Sequence, residues 1–442
     1  MYLTEIKIIR DKEFYKVIDE CCANCSRLYN TTNYNINQIS RIGNKMKQGI
    51  KLEPWEDAYI ENVNKGIEHY NHSGRTEKNL KPIGKDRTAM TDFYFLNWYM
   101  RGTSYLYESL PLIISGQKVI EELCNAWTSY YKLLEKYKAG KLRVRPQKPG
   151  YKDKKRGRVD FVIPHSGFKH INNKIILSKR LNKYQIKTNK QNVKQIRLIT
   201  ENGYIKVKII YQIEEQTAKQ DNGRYFSIDL GVNNLMTVVS NIRGIEPFIL
   251  NGKPIKAINQ YYYKTNAKYQ SIGKRVNSVE TTKRLARLSD KRRRKIDDYF
   301  HKVTKIVIDK AVENDICKII VGKNTNWKAN CKIGKTNNQN FMSIPYTRLL
   351  KMLEYKGRLK GIEVIQVEER YTSGTSYVDG EQPIKENYNK KRRVKRGLFK
   401  TKEGITINAD VNGAYQIMKK VRLKTRLYYK GQERVERIRN AA

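Results

Sequence analysis

The sequence predicts a multidomain α+β protein, because three long stretches differ in the spacing of their apolar residues. Residues 11 to about 140 repeat apolar side chains at helical spacing, and residues 159–215 alternate apolar with polar side chains. After residue 220, short apolar runs alternate with helical patterns. A chain of 442 residues is long enough for about two to four domains. We therefore expect a helical, a β-rich and an α/β region, in this order.

The charge balance restricts the kind of partner. The chain carries 89 Lys and Arg against 43 Asp and Glu, a formal net charge of +46, and such an excess favours a polyanionic partner. The sequence shows no apolar stretch of about twenty residues for a membrane and no signal-peptide core. We therefore expect nucleic acid as the partner and the cytoplasm as the setting, at the nucleoid when DNA is bound. The 31 Tyr residues suit base stacking, although A/T-rich coding would also raise their number.

The six cysteines do not predict a zinc site. Cys22 and Cys25 have the spacing of two zinc ligands, but no second pair lies nearby in the sequence. The same segment has the apolar spacing of an amphipathic helix, which is the favoured alternative. We expect no zinc, and free thiols in a reducing compartment.

The N-terminal region is expected to be helical and to lead into a basic loop. Phe14 and Ile18 begin an apolar stripe, and a second stripe follows Pro111. Residues 143–158 combine two prolines and two glycines with many basic side chains, which suits a loop that follows phosphates. The alternative is a solvated linker. The candidate phosphate ligands in this loop are Lys154, Lys155 and Arg156.

A hairpin is predicted in the β-rich region. Ile196 and Leu198 alternate with polar residues before Asn202-Gly203, and a second alternating run follows. Asn-Gly between two alternating runs is a strong signal for a tight hairpin turn. We expect a β domain, plausibly a barrel, with lysines on its outer face.

The α/β region predicts an RNase H-like fold. Its order of elements, β-β-β-α-β-α-β-α, is typical of that fold. One helix is long and basic and contains the run KRRRK at 291–295, and another begins at Pro345. The strands are predicted at 225–230, 235–240, 247–250, 318–322 and 361–369, and the last helix within 407–421.

Four acidic residues stand where predicted elements begin or end. Asp229 lies near the end of the first α/β strand, Glu368 and Glu369 close the last strand, and Asp410 opens the last helix. Each has an ordinary explanation: either aspartate could be a cap, and a glutamate at a strand end usually faces solvent. If the acids converge, their mutual repulsion requires cations between them, and magnesium prefers such oxygen ligands.

The segments that contain these acids resemble motifs of the TnpB family. They read IDLGVNNLMTVVS (228–240), VEERYTS (367–373) and INADVNGAYQI (407–417), and CSRLYNTTNY (25–34) and KPGYKDK (148–154) are similar as well. TnpB proteins are RNA-guided nucleases encoded by insertion sequences and related to compact type V CRISPR effectors. The resemblance implies a β-barrel wedge domain, a helical recognition domain, a RuvC nuclease domain and a small insertion. It also implies two partners, a guide RNA and double-stranded target DNA that contains a short flanking motif.

The resemblance implies domain boundaries as well. The recognition domain would interrupt the wedge domain, and the insertion would interrupt the nuclease domain. The expected segments are 1–10 (first wedge strand), 11–142 (recognition domain), 143–220 (rest of the wedge), 221–370 (first part of the nuclease), 371–403 (basic insertion), 404–424 (last part of the nuclease) and 425–442 (basic tail).

Two departures from the family pattern affect the expected site. The second catalytic acid of the family usually ends the strand that here ends at Gly322, and a related subgroup places it before YTS instead. The resemblance therefore implies Glu368 or Glu369, and only one should face the metals because side chains alternate along a strand. The insertion lacks the four cysteines of a zinc ribbon. Its eight Lys or Arg between residues 390 and 402 could hold nucleic acid or form a disordered basic loop.

The resemblance implies a nuclease site with two Mg²⁺ ions, for which Mn²⁺ is expected to substitute. Two ions about 4 Å apart activate a water and stabilise charge on the attacking and leaving oxygens. The ligands would be Asp229, Glu368 or Glu369, and Asp410. Trp327 could contact the substrate or be packed internally, and the basic helix could contact nucleic acid or be solvated. The candidates for nucleic-acid binding are Lys154, Lys155, Arg156, Arg292, Arg293, Arg294, Trp327, Lys328, Arg392 and Arg393.

The sequence favours an RNA-guided, divalent-metal-dependent DNA endonuclease, with a monomer as the favoured state. One alternative is a nuclease-inactive, RNA-guided DNA-binding repressor, which the missing family glutamate suggests. Another is a transposase or junction resolvase that uses the same nuclease fold without RNA.

Overall fold

The chain divides into two compact units, Met1–Ile213 (unit 1) and Glu214–Ala442 (unit 2). Each unit has its own apolar core. No helix in the described part of the chain is long and apolar enough to cross a bilayer. The computed structural model describes residues 1–75, 79–178, 181–277, 281–323, 335–395, 397–421 and 436–438.

Unit 1 begins with one strand and four helices, and the helices confirm the prediction from apolar spacing. Phe14 and Ile18 are buried on the inner face of the first helix. The Asp11 carboxylate accepts a hydrogen bond from the amide of Phe14 (2.7 Å) and thereby caps that helix. Cys22 and Cys25 are buried on the same helix, where burial raises the pKa of the Cys22 thiol to about 12. The elements are β1 (Tyr2–Ile9), α1 (Lys12–Lys47), α2 (Pro54–His72), α3 (Phe93–Thr103) and α4 (Ile113–Lys138).

The second half of unit 1 is built from antiparallel strands. The predicted hairpin is confirmed, because Asn202 and Gly203 connect two paired strands and both have positive φ, 49° and 88°, as a two-residue hairpin turn requires. The strands form two separate hydrogen-bonded sheets, of order β1-β7-β6-β2 and β3-β4-β5, so the barrel stays a prediction. The strands are β2 (Phe161–Pro164), β3 (Phe168–Ile171), β4 (Lys174–Leu177), β5 (Gln185–Lys187), β6 (Val193–Glu201) and β7 (Tyr204–Gln212).

Unit 2 is an α/β unit around one six-stranded sheet. In its described residues, three consecutive strands come first, and helices then come before each of the next two strands, as the sequence predicts. The elements are β8 (Tyr225–Leu230), β9 (Asn234–Ser240), β10 (Phe248–Asn251), α5 (Lys253–Asn277), α6 (Lys283–Glu313), β11 (Lys318–Gly322), α7 (Lys335–Met342), α8 (Tyr346–Arg358), β12 (Glu363–Val367), β13 (Leu398–Lys400), β14 (Thr406–Asn408), α9 (Ala409–Lys419) and β15 (Glu436–Ile438).

The large sheet has the order β12-β11-β8-β9-β10-β15. Strands β8, β11 and β12 run parallel, whereas β9 is antiparallel to both of its neighbours. Strand β15 pairs with β10 and lies in the segment predicted as a basic tail. A three-residue strand had no signal in the local sequence pattern.

The strand register brings distant segments to one edge of this sheet. Ile228 of β8 pairs with Val321 of β11, and Gly322 pairs with Val367 of β12. Because the three strands are parallel, their carboxyl ends lie side by side. Asp229 and the residues after Val367 therefore reach the same edge.

The insertion at 371–403 is folded around an internal ion pair. Arg392 forms a salt bridge with Asp379, and its Nη1 contacts Glu381 Oε2 at 2.8 Å. Both carboxylates are buried, with 7% exposure, and the Arg392 side chain is only 12% exposed. Strands β13 and β14 pair beside them. The described part of the insertion is thus an ordered element in which Arg392 is an internal anchor, and the nucleic-acid contact of Arg392 stays a prediction.

Replacing Arg392 should therefore open the insertion. We expect Arg392→Ala to lower the free energy of unfolding by roughly 3–5 kcal/mol, because two buried carboxylates lose their main counter-charge. Urea denaturation measures the loss, and limited chymotrypsin digestion should show new cuts in this segment. Lys391→Ala, at an exposed neighbouring position, is the matched control. Equal stability and digestion of the two variants would contradict this role of Arg392.

Candidate metal centre at the carboxyl edge of the sheet in unit 2

A pocket of about 670 Å³ opens at the edge where β8, β11 and β12 end. Three of the four predicted acids line it: Asp229, Glu369 and Asp410. They come from the end of β8, from the segment after β12 and from the first turn of α9. The structure therefore brings together acids that lie up to 181 residues apart in the sequence.

Asp229 lies deepest in this pocket. Its side chain is reached by solvent only in part. Burial, followed by the negative charges of Asp410 and Glu369, raises its pKa well above the ordinary value, and Arg393 acts in the opposite direction. Gly413 of α9 lies directly against this carboxyl group, since a Cβ atom at residue 413 would stand 2.9 Å from Asp229 Oδ2. Glycine at this position allows the helix to approach so closely.

Asp410 is held by neighbours but does not cap its helix. The cap is Asn408, whose side-chain oxygen accepts hydrogen bonds from the amides of Asp410 (2.9 Å) and Val411 (3.1 Å). The Asp410 carboxylate accepts a hydrogen bond from Asn234 Nδ2 at 2.7 Å and pairs with Arg393 Nη2 at 3.2 Å. The carboxylate is thus directed into the pocket, and the capping explanation for Asp410 is wrong.

The structure distinguishes the two adjacent glutamates. Strand β12 ends at Val367, and Glu369 turns into the pocket, where burial raises its pKa to about 7 while Lys420 has a smaller lowering effect. Glu368 points away, is 48% exposed and pairs with Arg370 at 2.8 Å. Only Glu369 is therefore placed with Asp229 and Asp410.

Gly322 provides the space that Glu369 occupies. A Cβ atom at residue 322 would stand 2.9 Å from Glu369 Oε2 and would collide with Ile417 Cδ1. The strand end where the family usually carries its glutamate is thus filled by a carboxylate from the neighbouring strand end.

Hydrogen bonds hold the two acid-bearing segments against each other. Thr372 Oγ1 donates to the carbonyl of Glu369 (2.7 Å) and fixes the turn after this acid. Asn412 of α9 donates to the carbonyl of Thr375 (2.8 Å) and accepts from the amide of Tyr377 (2.9 Å). The segment after Glu369 and the helix of Asp410 are therefore fastened together two residues from Asp410.

Sequence reasoning missed several supporting residues. Asn234 orients Asp410, and Tyr346 of α8 donates a hydrogen bond to the carbonyl of Gly231 (2.8 Å), in the turn that follows Asp229. The second asparagine of GVNN was a weak signal for the first contact. The Tyr346 contact had none, because its partner lies 115 residues away.

The pocket fits a divalent cation by its chemistry, although it holds no preassembled coordination shell. Among the residues that the structure describes, no three His, Cys, Asp or Glu side chains lie close enough to bind a metal ion as they stand. Asp229, Glu369 and Asp410 line the same pocket. Their oxygen atoms are the ligands that Mg²⁺ prefers. The Thr237 hydroxyl in the same pocket is buried and has no hydrogen-bond partner among the described residues.

The predicted nucleic-acid ligands differ in their surroundings. Lys154, Lys155 and Arg156 are exposed in unit 1. Arg292 is turned inward, because its Nε donates to Asn259 Oδ1 (2.7 Å) and its Nη2 to the carbonyl of Ser343 (3.0 Å). In the remaining group, Arg293 pairs with Asp290 (2.7 Å), Arg294 is exposed, Arg393 lines the pocket, and Trp327 and Lys328 lie outside the described residues.

Two family models match segments of this chain that together contain the three acids. A model described as a probable transposase (OrfB of IS605) matches residues 208–328, which include Asp229. A model of the TNB domain of Cas12f1-like proteins matches residues 346–417, which include Glu369 and Asp410. Both models describe proteins of the class that the motifs indicate.

Two curated proteins are similar to this chain over about half of its length or more. A TnpB-like protein (ORF457) of Acidianus two-tailed virus is 26% identical over 353 residues, 69% of this chain and 72% of the relative. A CRISPR-associated endodeoxyribonuclease, Cas12f2, of Micrarchaeota archaeon (strain CG1_02_47_40) is 26% identical over 238 residues, 51% of this chain. The chain spans only 42% of that relative. The resemblance to the TnpB family is confirmed.

Solved structures of related effectors align over most of the chain but superpose poorly. A Cas12f1–sgRNA–target DNA complex is 15% identical, with 94% of this chain and 98% of the other covered at a TM-score of 0.36. A CRISPR–Cas12f ternary complex is 13% identical, with 95% and 86% covered, also at 0.36. Superpositions at this level carry no argument about the site.

A substitution at Gly322 tests how closely Glu369 packs against the end of β11. We expect Gly322→Ala to lower the free energy of unfolding by about 1–3 kcal/mol, because its methyl group overpacks the site. Gly102→Ala is the control, since a Cβ there meets nothing within 4 Å and should be neutral or slightly stabilising in helix α3. Chemical denaturation compares the two. A fully tolerated alanine at residue 322 would contradict the close packing of Glu369.

Proposed function

We propose that this chain is an RNA-guided DNA endonuclease that depends on divalent metal ions and cuts DNA beside a short flanking motif. Unit 2 would be its RuvC-type nuclease domain, with the RNase H-like fold that the sequence predicts. The strand order β10-β9-β8-β11-β12, with β8, β11 and β12 parallel, supports this. Unit 1 would contain the helical recognition domain and the wedge, with the boundaries stated from the resemblance.

The observation that carries the proposal is the complete set of three acids in one pocket. Asp229, Asp410 and Glu369 all line this pocket, and Glu369 packs against Gly322. The nuclease-inactive repressor was suggested by the loss of the usual glutamate at the end of β11. Glu369 would replace that carboxylate, and this favours the endonuclease over the repressor.

Five side chains of the pocket have roles in the proposed reaction. Asp229, Glu369 and Asp410 would hold two Mg²⁺ ions, which when bound supply an activated water and stabilise the charge on the attacking and leaving oxygens. Asn234 keeps one oxygen of Asp410 fixed through its 2.7 Å hydrogen bond. Arg393 pairs with Asp410 and is positioned to exchange this contact for a phosphate oxygen of the DNA.

Metal binding by these acids would depend on whether their carboxyl groups are protonated. Both Asp229 and Glu369 have raised pKa values, and a metal ligand must be deprotonated. Cation binding would therefore release protons from these carboxyl groups.

The surplus of positive charge supports nucleic acids as partners. The chain carries 46 more basic than acidic side chains, and this excess suits a guide RNA and its DNA target. Exposed Lys154, Lys155 and Arg156 would contact phosphates, as would Arg294 on α6. Sequence would be recognised mainly by base pairing between guide and target, while protein side chains bind the backbone and the flanking motif.

The two neighbouring glutamates provide a matched pair of variants. The protein is purified with its copurifying RNA, that RNA is sequenced, and a DNA duplex that matches its guide segment is incubated with Mg²⁺. We expect Glu369→Gln to lose cleavage on the order of 10²-fold or more, because one charged ligand is removed. Glu368→Gln, only one residue away but outside the pocket, should cut at the wild-type rate.

Other outcomes would refute parts of the proposal. Equal cleavage by both variants would remove Glu369 from the site, and cleavage in EDTA would exclude metal dependence. A protein that carries no defined RNA yet cuts junctions or transfers strands would be a transposase or resolvase instead.

A further inference from the structure

The pocket has an aromatic side as well as an acidic one. Tyr371 and Tyr388, from the start and the middle of the insertion, line it together with the three acids. Their rings meet edge to face, with centroids 5.8 Å apart and an interplanar angle of 68°. We call these two residues the tyrosine pair. Neither the fold nor the acid site requires aromatic rings at this place.

Tyr371 is held in an unfavourable backbone conformation. Its φ is +67°, in the left-handed region that side chains other than glycine rarely adopt. The turn enforces it, because Thr375 Oγ1 donates to the Tyr371 carbonyl (2.8 Å) and Thr372 is fixed to Glu369. A strained aromatic residue two positions after a pocket acid indicates that the side chain is needed where the turn places it.

Tyr388 is also placed by local packing. Its ring lies on Gly374, where a Cβ atom would stand 2.5 Å from Tyr388 Cε2. The next amide, of Asn389, donates to the Gly374 carbonyl at 2.9 Å. These two contacts hold the Tyr388 ring in place, yet 38% of the residue stays exposed. A rigid, partly exposed ring in a pocket is suited to stack on a flat ligand at little entropic cost.

We propose that the tyrosine pair is a stacking subsite for an unpaired nucleobase next to the phosphate that is cut. The inference deepens the proposed function and rests on it for the nature of the substrate. A base would stack on one ring and meet the edge of the other, while its phosphate faces the acids. Arg370 and Arg393 line the same pocket and suit the negative backbone on either side.

The size and chemistry of the pocket favour a nucleotide. A volume of about 670 Å³ lies within the usual range of roughly 300–1,000 Å³ for small-ligand sites. Aromatic stacking accepts every base, as a nuclease without its own sequence preference at the cut requires. A base can enter only when it is unstacked from its neighbours, so the subsite selects single-stranded over duplex DNA.

Photocrosslinking tests the subsite independently of cleavage. The full-length protein with its copurified RNA is mixed in EDTA with single-stranded DNA that carries 5-iodouracil, irradiated, and mapped by mass spectrometry. We expect crosslinks at Tyr371 or Tyr388. Tyr371→Leu with Tyr388→Leu should reduce this crosslink about 5- to 150-fold, the range that corresponds to losing one stacked base. Phenylalanine at both positions should retain it.

Two further variants separate stacking from folding. Tyr371→Gly relieves the positive φ, so its melting temperature should equal or exceed that of the wild type, while its crosslink at residue 388 weakens and its Mg²⁺-dependent cutting of matched DNA slows. Tyr261→Leu removes a tyrosine of α5 that is 62% exposed and does not line the pocket, and it should behave as the wild type.

The results distinguish this inference from the proposed function. Crosslinks only at other residues, with normal cleavage by the double leucine variant, would overturn the subsite and leave the nuclease intact. Crosslinks at the tyrosine pair in a protein that never cuts DNA would support the subsite and refute the nuclease.

Discussion

The convergence of three carboxylates in one pocket is the constraint on which the arrangement of unit 2 depends. Asp229, Glu369 and Asp410 repel one another, and burial raises the pKa of the first two. In the absence of a cation, such a cluster lowers the stability of the folded state. It is favourable where cations bind, so the surrounding structure can be understood as a set of contacts that keep these acids together.

Those contacts are small and specific. Glycines at 322 and 413 remove the Cβ atoms that would displace Glu369 and Asp229. Asparagines at 234 and 412 hold Asp410 and fasten its helix to the turn after Glu369. Because each contact joins segments that are distant in sequence, the site forms only when the sheet and α9 are assembled. The same segment contributes Glu369 and the tyrosine pair to one pocket, so the proposed metal site and the proposed stacking subsite adjoin.

Much of this could be predicted from local sequence. Strand periodicity and the Asn-Gly turn are local signals, and the positions of Asp229 and Asp410 at element ends followed from them. Glu369 could not be chosen over Glu368, because alternation shows only that one of them faces the pocket and the strand ends at Val367. Arg392 looked like a nucleic-acid ligand because charge alone does not reveal the buried partners that it meets in the fold.

The melting temperature of nucleic-acid-free protein with and without Mg²⁺ tests the central claim most directly, with wild type compared with Asp229→Asn. Without cations, the asparagine variant should melt at a higher temperature than wild type near neutral pH. The raised pKa of Asp229 means that wild type must either take up a proton or bury a charge when it folds, whereas the amide does neither. Added Mg²⁺ should stabilise wild type and leave the variant almost unchanged. A variant that melts lower than wild type in EDTA and still gains the full stabilisation from Mg²⁺ would contradict the account.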